Sequence, residues 1–156
     1  MKLLIVVAVL LLVAVAVRLA VPKLSQQSVA SGVLQSNGVR TLGDCPDTPN
    51  CQGSRSSRAE QQVEPMIINQ ELAQAIASIA SVVRAQPGTA IVSQTDHYLH
   101  ATFTSRLMGY IDDVEFLVDE DGKSVQVRSA SRLGVSDLGV NAKRIAFLRE
   151  QLLAVL

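Results

Sequence analysis

Apolar residues run without interruption from Leu3 to Val17, fifteen aliphatic or alanine positions in a row, and Leu19 to Val21 continue the run past a lone Arg18. The run is apolar on every side and not along one stripe, which argues against an amphipathic core helix. Its length approaches the ~20 residues that a membrane-spanning helix needs. Residues 3–21 therefore predict a membrane contact, with Arg18 able to snorkel to the interface. A cleaved signal peptide is the rival for residues 1–21, because Lys2 supplies a short positive region and Ala14-Val15-Ala16 resembles a cleavage site. No polar region separates the apolar run from that site, which favours a retained anchor.

From Pro22 to about Glu64 the chain turns to Ser, Gln, Asn, Gly and Arg, and no period of 2 or 3.6 persists. Residues 22–64 read as a flexible tether. Beyond it, residues 65–156 read as an α+β domain. Asn69 is placed as a helix N-cap, and Leu72, Ala75, Ile76, Ile79, Val82 and Val83 follow at helical spacing until Pro87-Gly88 ends the element.

Alternation then takes over. Strands are predicted at Ala90–Gln94, Tyr98–Ser105, Ile111–Val118 and Ser124–Ser131, with Asp119 to Gly122 as a hairpin turn. Leu99, Ala101 and Phe103, then Val114, Phe116 and Val118, then Val125 and Val127 form the apolar side. A last helix starts near Asn141 and carries Ile145, Leu148, Leu152 and Val155 on one stripe. The expected order is α-β-β-β-β-α: a four-stranded antiparallel meander with both helices on one face. The opposite face is expected to be polar and open.

Composition narrows the function classes. The 156 residues leave room for one small domain. Beyond residue 21 there are 12 basic against 14 acidic side chains, so the body lacks the clustered positive charge of a nucleic-acid binder. Aromatics at 3% also disfavour base stacking.

Two places hold candidate chemistry. The polar sheet face collects Tyr98, His100, Thr102, Asp113, Glu115 and Arg128, with Glu115 expected to pair with Arg128 across strands and His100 to stand beside Asp113. His100, Asp113 and Glu115 are catalytic candidates for a metal-assisted hydrolase. His97 points away from His100 on a regular strand, so the two histidines do not chelate one ion. The second place is Arg128, Ser129, Ser131, Arg132, Ser136, Asp137, Asn141 and Arg144. Glycines, hydroxyls and arginines that lead into a helix N-terminus are the ingredients of a small-anion site, and capping is their plainer role. The glycine spacing lacks the Lys-Ser/Thr of a phosphate loop. No metal and no cofactor is assigned.

Cys45 and Cys51 flank a stretch with two prolines, Asp47 and Asn50, which favours a tight turn. A disulfide is the favoured interpretation, with reduced thiols and a metal or redox pair as alternatives. The positive-inside count is nearly even between the two ends of the apolar run. The disulfide tips the domain to the extracytoplasmic side of an inner membrane, periplasmic or lumenal.

Four ordered segments carry a resemblance: C-P-D-T-P-N-C at 45–51, Y-L-H-A-T-F-T-S-R at 98–106, G-Y-I-D-D-V-E-F at 109–116 and R-S-A-S-R-L-G-V-S-D-L-G-V-N at 128–141. Together they resemble the domain of unknown function 1499 family of bacteria and photosynthetic plastids, over roughly Asp44 to Leu152. Two departures from its pattern stand out: Ala142 stands in place of a basic residue, and Gln52-Gly53 in place of small hydroxyl residues. The resemblance implies no activity, and it implies a membrane segment or export signal at the N-terminus. The expected protein is a membrane-anchored envelope module that binds a small anionic ligand or an envelope protein. A metal-assisted hydrolase and a purely structural envelope protein are the alternatives.

Overall fold

The structure is a computed structural model, and it describes residues 2–26 and 29–156. The expected anchor and tether also include Met1, Gln27 and Ser28, which lie outside the described residues.

Helix α1 runs Lys2–Ser25 with Pro22 inside its last turn. Its most apolar stretch has a mean hydropathy of 3.1, and the helix is long and apolar enough to cross a membrane. Only Val21 and Ser25 of α1 are buried against the rest of the protein. Strands β1 (Val33–Ser36) and β2 (Val39–Leu42) form a separate hairpin. Its turn is Asn37-Gly38, both at positive φ, 52° and 80°, the backbone that a two-residue hairpin turn following strand twist requires.

The remaining strands build one six-stranded sheet. They are β3 (Cys51–Gly53), β4 (Met66–Ile67), β5 (Thr89–Gln94), β6 (Tyr98–Thr104), β7 (Ile111–Val118) and β8 (Ser124–Ser131). Their order is β3-β8-β7-β6-β5, and β4 also pairs with β8. The expected four-stranded sheet is thus too small. The two short strands β3 and β4 share the outer edge of β8, β3 opposite residues 128–130 and β4 opposite residues 124–125. Strands of three and two residues are too short to show a period, so the sequence pattern does not reveal them.

The helices α2 (Leu72–Arg84) and α3 (Val140–Leu153) lie on one face of the sheet. Ile76, Ile79 and Val83 of α2 and Ile145, Leu148 and Leu152 of α3 pack with Leu99, Val114, Phe116 and Val127 in a single core. Neither predicted cap forms as expected. Asn69 lies before α2, and its N–H donates to the Leu156 carbonyl at 2.9 Å. At α3 it is Asp137 that caps, accepting from the Gly139 and Asn141 N–H groups at 3.0 and 2.7 Å.

The largest correction concerns the other sheet face. It is not open: His100, Asp113, Glu115, Gln126 and Arg128 are all buried. The stretch read as a tether lies across it. Val33 and Leu42 pack on Tyr98 and Leu117, and Cys45 and Cys51 pack on Ala130. The strands of this cover are four residues long and mix apolar with polar side chains, so they carry no sustained hydrophobic period.

Candidate functional site

Register decides which side chains meet. His100 stands opposite Glu115, and Glu115 opposite Arg128, so the three share the covered face. Asp113 lies two residues from Glu115 on the same face, and Asp112 points the other way, towards the helices.

Glu115 is fully buried and both carboxylate oxygens are engaged. Arg128 Nη1 donates to Oε2 at 3.1 Å. The Tyr98 hydroxyl donates to Oε1 at 2.8 Å, and the Gly32 N–H reaches the same oxygen at 2.9 Å. Burial, and then the neighbouring Glu115 carboxylate, push the Tyr98 phenol upward, so it stays a neutral donor. Gly32 ties the chain that leaves the apolar helix to the centre of the sheet.

Asp113 is clamped by two side chains. Arg132 makes a two-pronged contact, Nε to Oδ2 at 2.8 Å and Nη2 to Oδ1 at 2.7 Å. His100 Nε2 lies 2.7 Å from Oδ1. An ionised carboxylate only accepts, so the imidazole presents Nε2–H to it. Burial by itself raises the Asp113 carboxyl, but the hydrogen bonds from His100 and Arg132 outweigh it and hold the group below the usual carboxylate range. Arg132 Nη1 also reaches the Ser25 carbonyl at the end of α1, at 3.4 Å, where a helix C-terminus favours a cation.

Asp113, Arg128 and Arg132 of this network line a polar cavity of about 280 Å3 between the sheet, the Cys45–Cys51 loop and residues 29–30. Arg128, Ser131, Arg132 and Asp113 come from the sheet side, and Thr48 and Asn50 from the loop. Cys45 and Cys51 stand at disulfide distance, with Cα atoms 5.7 Å apart, and so hold the loop closed. One polar atom here is unspent: Arg128 Nε is buried and has no partner. A buried donor left unpaired costs about 1–3 kcal/mol.

The other anion-site candidates are arranged differently. Ser129, Asn141 and Arg144 form a closed set on the helix side of the sheet. The Ser129 hydroxyl donates to Asn141 Oδ1 at 2.5 Å, Asn141 Nδ2 donates to the Asn50 carbonyl at 2.9 Å, and Arg144 Nη2 donates to Asp112 at 2.6 Å. The Arg144 guanidinium also sits 4.8 Å from the centre of the Phe103 ring, within cation–π range. Ser136 and Asp137 border a second, mainly apolar cavity of about 350 Å3 with Tyr110, Leu133 and Leu138. Of the eight candidates, Arg128, Ser131 and Arg132 converge on the polar cavity.

The catalytic candidates are split as well. His100 is bound to Asp113 and not to Glu115. Each carboxylate already accepts three hydrogen bonds, Glu115 from Gly32, Tyr98 and Arg128 and Asp113 from His100 and both prongs of Arg132, so each is neutralised by an arginine and not by a metal cation. Among the described residues, no group of three or more His, Cys, Asp or Glu side chains stands close enough to hold a metal. Sequence reasoning missed Gly32, Thr48 and Asn50, the contributors from the covering segment. The Asn37-Gly38 dipeptide, a two-residue hairpin turn signal, was the available sign of that cover.

Fold and site together define an α+β domain behind an apolar N-terminal helix, with a covered ionic network on its sheet. The chain belongs to the DUF1499 family, described as a protein of unknown function, whose pattern matches residues 41–152. No curated protein and no solved structure matches it.

Proposed function

We propose that this protein is a single-pass, membrane-anchored envelope module that binds a small oxyanion, such as a carboxylate or phosphate group, in the polar cavity. One observation carries the reading: the buried Arg128 guanidinium, with its unpartnered Nε, at a cavity lined by hydroxyl and amide side chains. Arg128 and Arg132 balance Glu115 and Asp113 in charge, so the site suits a ligand of low charge held by directed hydrogen bonds. The Cys45 and Cys51 spacing supports a disulfide and hence an extracytoplasmic domain, periplasmic or lumenal.

Thermal melting of the full chain in detergent, with rising inorganic phosphate against chloride at equal ionic strength, tests the binding. A ligand that binds only the folded state raises the midpoint by mass action. Arg128→Lys keeps the charge opposite Glu115 but removes Nε, so it should melt cooperatively and lose the phosphate-dependent rise. Equal midpoints of the unsubstituted chain in phosphate and chloride would overturn the reading.

A further inference from the structure

We propose that the tip of the β6–β7 hairpin, Leu107 and Met108, is a second membrane contact that enters the same bilayer as α1. The proposal rests on the membrane-anchored reading of α1 and is independent of the oxyanion site. Leu107 and Met108 border a groove whose other wall is α1, at Leu11, Ala14, Val15 and Leu19. These helix positions lie well inside the apolar run. At 1.5 Å per residue, Leu11 is about 15 Å along the axis from Val21, about half of the ~30 Å hydrocarbon thickness. A side chain level with Leu11 to Leu19 therefore lies below the headgroups once α1 is inserted. Leu107 is mostly uncovered, with 80% of its surface exposed.

Three features suit the tip to that position. Gly109 fits against α1: it has φ 75°, and a Cβ there would lie 2.8 Å from Pro22 Cγ. The loop also satisfies much of its own backbone, as hydrocarbon demands. Ser105 N–H donates to the Tyr110 carbonyl at 2.8 Å, Gly109 N–H to the Ser105 carbonyl at 2.9 Å, and Tyr110 N–H to Ser105 Oγ at 2.9 Å. Arg18 beside Gly109 and Arg106 in the loop supply cations that snorkel to lipid phosphates. The neighbouring loop exposes Leu138, 88% accessible, on the cavity that it shares with Ser105 and Tyr110. The same end of the domain thus offers apolar side chains to the surface from which α1 emerges.

The chain contains no Trp, so one introduced indole reports its own surroundings. The experiment uses the full chain carrying Leu107→Trp, reconstituted in phosphatidylcholine vesicles with or without brominated acyl chains. The comparison is Ile67→Trp, which is exposed at the opposite end of the sheet, where β4 pairs with the start of β8. Leu107→Trp should emit at shorter wavelength and lose most of its emission to the bromines, while Ile67→Trp stays unquenched. Equal, weak bromine quenching of the two variants would overturn the proposal. So would a blue-shifted Leu107→Trp that bromine does not quench, which would assign the tip to a second copy of the chain.

Discussion

Arg128 Nη1 and Glu115 Oε2 meet at 3.1 Å across adjacent strands, with the carboxylate wholly removed from solvent. A pair of this kind on an exposed sheet contributes at most about 1 kcal/mol. Covered as it is, the pair behaves differently: removal of one partner strands the other charge in the interior.

Glu115→Gln should therefore destabilise the protein by about 3 kcal/mol or more, because Arg128 loses its counter-charge. The double variant Glu115→Leu with Arg128→Met should recover much of that loss. Denaturant unfolding of the unsubstituted chain, Glu115→Gln and the double variant in the same detergent checks both statements, and a double variant no more stable than Glu115→Gln would contradict them.

Asp113 should make the fold acid-sensitive. Its folded carboxyl lies below its ordinary value of about 3.9, so its contribution is fully present above that value and is lost as pH falls through the depressed one. Stability measured from pH 6 down to pH 2 should decline at the acid end. Asp113→Asn should be less stable at pH 6 and should decline less steeply, and parallel curves would count against the assignment.

Reduction of the Cys45–Cys51 pair should cost about 2 kcal/mol for a loop of this size in the chain-entropy model. The same loop brings Thr48 and Asn50 to the polar cavity. Melting with and without reductant should show the loss, and the phosphate-dependent rise should shrink with it.

Gly88→Ala should destabilise by about 1–3 kcal/mol. Gly88 has φ 74°, and a Cβ would fall 2.5 Å from the Thr104 carbonyl oxygen. The Thr104 N–H donates back to the Gly88 carbonyl at 2.8 Å, so the two backbones cannot part without losing that bond. Thermal melting of the variant provides the measurement.

The meander was legible because alternation and turn chemistry agree there. Ile111–Val118 and Ser124–Ser131 stand at their predicted bounds, and the Glu115–Arg128 pair follows from that register. The helices were legible from Ile76, Ile79 and Val83 and from Ile145, Leu148 and Leu152, which keep a 3.6-residue period. The covering segment was not, because its information is long-range. Gly32 engages Glu115 from 83 positions away and Leu42 engages Gln126 from 84, and neither contact leaves a local period. Burial of the polar face followed from those contacts, so an ion network read as solvated proved to be interior. Asn141 failed as a cap for a related reason: its amide is drawn to Asn50 and Ser131, and Asp137 takes the helix end.

The hydrogen bond from Gly32 to Glu115 also sets how far the domain can travel. A free 43-residue segment between Pro22 and Glu64 would wander roughly 35 Å in root-mean-square terms and let the domain sample the depth of an envelope. The chain advances only seven residues from Ser25 to Gly32, at most ~25 Å when fully extended. With α1 in a bilayer, the polar cavity is confined to a thin layer above the lipid. There it meets dissolved ions and, in addition, groups carried by molecules that lie in, or diffuse along, the membrane surface.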